Sequence, residues 1–293
     1  MSQTTLPPEI NDLIIGVLGD EVVTAFKLRL VVQRDVQAAL AACALVCKQW
    51  HSFTLPHTFY GVRLRHDPLS RRHFASLTEL VKANPYIKEC IRQFNVLLPG
   101  PGTLDAERLG DICRTVSPVE TLTLYNGIIT PPHDLSQPSI LDSLRPILIT
   151  PHLRDLTLCS KSLPTHLLEV LHSIRSLTLR GIQEIVVDHG PKDRDEKAWR
   201  SSALKKLDLH PAEFILSRIG AAAESDSDLA AFFENVKLLV LWFRTADLGH
   251  DSRLWYTILA RWRYLEKLDI NWTVRGESVS QFVSGCMSNT VCI

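Results

Sequence analysis

Seven segments of the chain repeat one pattern, apolar-x-x-apolar-x-apolar, and no other feature limits the possible folds so strongly. They run Ile91 to Val96, Val119 to Leu124, Leu153 to Leu158, Ile174 to Leu179, Leu204 to Leu209, Val236 to Leu241 and Leu265 to Ile270. Their fourth positions (Phe94, Leu122, Leu156, Leu177, Leu207, Leu239, Leu268) stand 28, 34, 21, 30, 32 and 29 residues apart, a loose period that one strand and one helix would occupy. Alternation at the end of each segment is that of a short strand with one face in a core. The intervals carry amphipathic groups: Ile112, Cys113 and Val116; Ile140, Leu141, Leu144 and Leu148; Leu167, Leu168 and Leu171; Leu254, Trp255, Ile258, Leu259 and Trp262; and Val279, Phe282, Val283 and Cys286. This predicts an α/β solenoid, a parallel sheet with helices on its outer side. Such a fold offers an extended surface to a macromolecular partner, whereas repetition supplies no catalytic pocket.

At 293 residues and 45% apolar content the chain can bury a large core. Lys plus Arg and Asp plus Glu number 32 each, so no net field draws it to nucleic acid or to an anionic membrane, and a protein partner is expected. Its cysteines (Cys43, Cys47, Cys90, Cys113, Cys159, Cys286, Cys292) are odd in number and set among apolar residues, the pattern of free thiols in the cytoplasm or nucleus. Met1 to Thr5 lacks a basic region followed by an apolar one, and no apolar run reaches the ~18 residues that span a bilayer.

The first fifty residues read as a different unit. Leu6-Pro7-Pro8-Glu9 makes a stiff start, and Ile10, Leu13, Ile14, Val17 and Leu18 follow at helical spacing. A second helix starts near Asp35 and carries Val36, Leu40, Cys43, Cys47 and Trp50 as one continuous apolar seam. So few residues bury too little surface to be very stable alone, which implies a neighbour or a partner.

Leu6-Pro7-Pro8-Glu9-Ile10, Leu13-Ile14-Ile15, Leu18, and the run Leu40 to Trp50 together resemble an F-box, over residues 5 to about 64. The alanine- and cysteine-rich second half, followed by the short strand Phe59 to Leu64, is similar to F-box proteins abundant in mushroom-forming fungi, where leucine-rich-repeat-like segments commonly follow. The resemblance implies an F-box-like helical domain over 1–64 and an irregular leucine-rich-repeat-like domain over 65–293. It implies docking on the Skp adaptor of a cullin-RING ubiquitin ligase by Leu6, Pro7, Ile10, Leu13, Ile14, Leu40, Cys43, Val46, Cys47 and Trp50. Two departures stand out. Gly19 to Arg34 is longer than the box allows and reads, from Val22, Val23, Phe26, Leu30 and Val31, as an extra or extended helix. The asparagine or cysteine that regular repeats carry is replaced by Gly127, Lys161, Ile182, Ala212, Arg244 and Thr273.

Residues flanking the inward pair of each strand face the other side of the sheet, so the third, fifth and seventh positions form the partner-facing surface. The seventh positions include Tyr125, Arg180, His210, Trp242 and Asn271, which are the candidate substrate contacts. Trp242, Phe243 and Trp272 form either an exposed aromatic patch or one covered by terminal helices. The stretches Asp188 to Lys197 and Glu224 to Asp228 are too polar to pack and read as exposed loops. After Val279 to Cys286 no polar capping helix follows, although terminal repeats normally need one.

The sequence offers little catalytic chemistry. His166 and His172 lack zinc-protease spacing, Cys43 and Cys47 have no matching second pair, and Gly100-Pro101-Gly102 reads as a turn, not a phosphate loop. The expectation is a non-enzymatic substrate receptor, with no cofactor or metal, joining a Skp adaptor to a protein substrate. A plain interaction scaffold on the same fold is the alternative, and an enzyme on a repeat scaffold a distant third.

Overall fold

The computed structural model describes residues 8–27, 34–64, 71–98, 106–116, 118–126, 138–171, 173–186, 203–212, 215–216, 218–219, 232–233, 235–244, 262, 264–274 and 277–281. Each of the seven patterned segments forms a strand that begins at its third position: β2 (Gln93–Leu98), β3 (Thr121–Asn126), β4 (Asp155–Cys159), β6 (Ser176–Arg180), β8 (Lys206–His210), β9 (Leu238–Arg244) and β10 (Lys267–Val274). An eighth copy, Phe59-x-x-Val62-x-Leu64, forms β1 (Gly61–Leu64). These eight strands make one parallel sheet in the order β1-β2-β3-β4-β6-β8-β9-β10. The sheet therefore starts inside the segment that resembles the F-box.

Register holds without a slip. Val62, Phe94, Leu122, Leu156, Leu177, Leu207, Leu239 and Leu268 pair across neighbouring strands, and the sixth positions pair in the same way two residues on. A one-residue slip would turn every inward side chain to the other face, so burial of this face pins the register. Ile91, Val119, Leu153, Ile174, Leu204 and Val236 close the floor of one continuous core that runs from Leu55 to Trp262.

Helices α6 (Ala106–Thr115) and α7 (Pro138–Leu148) fill the first two intervals where the sequence predicts them, and Leu109, Ile112, Leu144 and Ile147 face the core. The shortest interval holds only α8 (Thr165–Glu169), flanked by β5 (Ser162–Pro164), which pairs with β7 (Glu184–Val186) in a small second sheet. Gly181 ends β6 with φ +70, in the left-handed region where glycine carries no Cβ penalty, and its N–H meets the His210 carbonyl. Two helices have no counterpart in the sequence reading: α4 (Arg71–Ala83), with Leu77 and Val81 in the core, and α5 (Tyr86–Cys90).

The end of the array differs from expectation. Instead of a helix through Val279, Glu277–Gln281 is strand β11, antiparallel to β10, with Val279 opposite Trp272. The alternation Glu-Ser-Val-Ser-Gln suits a strand with one polar side, and the pairing occupies the open edge of β10. Residues 282–293, the two charged stretches, and the group Leu254 to Leu259 lie outside the described residues, as do Leu6 and Pro7.

The N-terminal unit has its own small core of Ile15, Val22, Val36 and Leu40, with Leu18 and Trp50 packed on it. Its first helix, α1 (Pro8–Lys27), runs on through Gly19, so the long segment extends this helix and buries Val22. The continuous seam from Val36 to Trp50 is corrected: α2 ends at Ala44, Cys47 adopts extended backbone, and α3 (Lys48–Thr58) begins after it. Leu55 of α3 enters the sheet core, so this helix joins the two cores. No helix among the described residues is long and apolar enough to cross a membrane.

Candidate functional site

The sheet face turned away from the core and its helices carries the third, fifth and seventh positions, as alternation requires. Neighbouring strands stand about 4.8 Å apart, so side chains on this face shield one another, and the middle row is shielded most. Asn95, Thr123, Thr157 and Thr178 of the fifth row are buried, while Leu97, Tyr125, Cys159, Arg180, His210, Trp242 and Asn271 of the seventh row are half-buried.

From β6 to β10 this face concentrates buried polar atoms that make no hydrogen bond. Among the described residues, seven buried side-chain N or O atoms have no hydrogen-bond partner. Five of them, Arg180 Nε, Asp208 Oδ1, His210 Nε2, Trp242 Nε1 and Asp269 Oδ1, lie on adjacent strands at the fifth and seventh positions. Burying such an atom unpaired costs roughly 1–3 kcal/mol, so Arg180 Nε, Trp242 Nε1 and Asp269 Oδ1 mark a place where polar groups of another molecule would be welcome.

The local geometry is well set. The His210 ring stacks on Trp242, with centroids 4.8 Å apart and planes 19° from parallel. His210 Nε2 stands 2.6 Å from Asp208 Oδ1, an ion-pair distance reached without hydrogen-bond alignment. Lys267 Nζ holds Asp269 Oδ2 at 3.1 Å and leaves Oδ1 open. The set holds donors (Arg180, Trp242) and acceptors (Asp208, Asp269) around an aromatic ring, which suits a peptide segment carrying both backbone N–H and C=O. Nothing in it resembles a nucleophile with its base.

Of the five candidate contacts, Arg180, His210 and Trp242 come together in this cluster. Asn271 lies in register with Trp242 on the next strand, and Tyr125 stands apart on β3. Asp208 and Asp269 are fifth positions, which alternation places on the partner-facing side, but the candidate contacts are drawn from the seventh positions alone. The aromatic trio is corrected: Phe243 is an eighth position, points inward and is buried, while Trp242 points outward.

A second surface lies on the N-terminal helices. Of eleven large apolar side chains exposed among the described residues, seven belong to this unit: Ile10, Leu13, Ile14, Val17, Leu45, Val46 and Phe53. Leu13 and Val46 are each 63% exposed. Of the expected adaptor contacts, Ile10, Leu13, Ile14 and Val46 lie on this surface, Cys47 is exposed, and Cys43 and Trp50 are half-buried. Leu40 is 2% exposed and lies in the unit's own core, beneath this surface and not on it.

No protein-family model matches the chain, and no curated protein matches its sequence.

Proposed function

We propose that the chain is the substrate receptor of a Skp-cullin-F-box ubiquitin ligase, with an F-box-like unit docking the Skp adaptor and a leucine-rich-repeat-like array holding a protein substrate. The observation that carries this reading is the gathering of exposed apolar side chains on α1 and the α2–α3 turn, in the segment whose sequence resembles the box. Large apolar side chains left exposed in one small unit mark an interaction site, and four of these seven, Ile10, Leu13, Ile14 and Val46, are expected adaptor contacts. Substrate would lie on the sheet face turned away from the helices, where the polar cluster around Trp242 and His210 supplies its recognition. The receptor forms no bond itself and acts by raising the local concentration of substrate lysines near the ubiquitin-loaded partner.

Co-expression with a Skp adaptor tests the reading. Equal stoichiometry on co-purification is expected, lost in the pair Leu13→Asp and Val46→Asp while the helical circular dichroism is retained. A folded wild-type chain that leaves the adaptor unbound would overturn it. One observation favours the alternative of a scaffold outside any ligase: α1 continues to Lys27, beyond the length of the usual box.

A further inference from the structure

The second position of each repeat carries the spine of the sheet. The carbonyls of Tyr60, Arg92, Glu120, Arg154, Arg175, Lys205 and Lys237 each accept two backbone N–H groups from the next repeat, at 2.8 to 3.1 Å. Read across the sheet, this row is Tyr60, Arg92, Glu120, Arg154, Arg175, Lys205, Lys237, Glu266. Charges pair at both ends: Arg92 lies 3.6 Å from Glu120, and Lys237 bonds Glu266. Between these pairs stand three exposed cations, Arg154, Arg175 and Lys205, and with Lys237, itself paired to Glu266, they precede four adjacent strands with no acid interleaved among them. Lys206 adds a fifth, one residue along. The acid facing them is Asp155, which accepts a hydrogen bond from Ser176 and lies in the field of Lys206 and Arg154.

Like charges directly opposite on neighbouring strands destabilise a sheet, and the doubled hydrogen bonds prevent these residues from spreading by a backbone shift. The row spans three strand spacings, about 14 Å, roughly the length of four extended residues. Guanidinium and ammonium groups at this spacing present charge-assisted donors to carboxylates. A protein segment fits better than a nucleic acid. The chain has no net charge to draw a polyanion, and Glu120 and Glu266 close the row at both ends against a longer one.

We infer that the Arg154–Arg175–Lys205–Lys237 row binds an acidic segment of a protein partner laid across the strands. This surface lies five residues, about 16 Å, from the seventh-position cluster along each strand, and it does not depend on adaptor docking.

The test is fluorescence anisotropy of a labelled oligoglutamate peptide with the full chain, at low and high salt. Binding is expected at low salt, weakening as salt rises. The double change Arg175→Gln with Lys205→Gln is expected to weaken it about tenfold while leaving the melting temperature unchanged or higher, because repulsion is relieved. Asp155→Asn, which keeps a partner for Ser176 and removes the facing acid, is expected to tighten binding and checks the proposal independently of the double change. Absence of salt-sensitive binding, equal affinity in the double variant, or tighter binding of a single-stranded oligonucleotide of the same charge would overturn the assignment.

Discussion

Gly19 lets α1 lie close against α3: a Cβ placed there would clash with Nδ1, Cγ and Cε1 of the His57 ring. A ring root cannot swing aside as a flexible chain end can, so the helices would have to part. Gly19→Val is expected to destabilise the N-terminal unit by about 1–3 kcal/mol, read as a loss of melting temperature that His57→Ala partly restores. The cysteines differ for the same reason of surroundings. Burial pushes the Cys113 thiol up to about 12 and raises that of Cys90, whereas Cys47 is exposed. Among these three, a thiol reagent at pH 8 is expected to label Cys47 and to reach Cys90 and Cys113 only after denaturation. A thiol kept neutral in the fold contributes its full stability below the ordinary pKa of ~8.5 and loses it as pH rises toward the folded value. The loss reaches about 2 kcal/mol at pH 10, so Cys113→Ala is expected to flatten the fall of melting temperature between pH 8 and 10. An unchanged slope would place the alkaline sensitivity elsewhere.

Two faces of one helix separate folding from binding. On α1, Ile15 is buried against Val22, Val36 and Leu40, while Leu13 and Val17 face outward with more than half their surface exposed. Leu13→Asp with Val17→Asp is expected to change stability by no more than about 0.5 kcal/mol and to abolish adaptor co-purification. Ile15→Asp, which buries a charge, is expected to unfold the unit, and equal melting losses for both variants would refute the assignment of faces. This division was legible in part. Helical spacing identifies Ile10, Leu13, Ile14, Val17 and Leu18 as a group, yet it cannot say which member of a wide apolar stripe meets the core. The turn between α2 and α3 was hidden for a different reason: Leu45, Val46 and Cys47 include no glycine or proline, and steps of three and four run through them unbroken. The seven patterned strands, by contrast, were legible in face and register, because period-two alternation fixes the inward face and the shared motif fixes the register. Fifth-row burial escaped notice because it arises from neighbouring strands, which a local pattern does not contain.

Across the whole molecule, the repeats contact chiefly their neighbours, so stability should be distributed along the array instead of being shared equally. Leu156, Leu177 and Leu207 are fully enclosed, whereas Leu265, Leu268 and Ile270 of the last parallel repeat are only partly buried against the same core. The polar cluster thus extends from a tightly packed middle to a looser end, where adjustment to a partner costs least. Hydrogen exchange followed strand by strand reads this gradient directly. Protection is expected to be highest in β3, β4 and β6 and to fall toward β10 and β11. Leu177→Ala, emptying a central site, is expected to cost about 2–5 kcal/mol and to loosen strands on both sides of it. Leu268→Ala is expected to cost less, to speed exchange in β9, β10 and β11, and to leave β2, β3 and β4 as protected as before. Uniform acceleration of every strand by Leu268→Ala would mean that the array opens as one cooperative block, and the looser end would then offer a partner no cheaper adjustment than the middle.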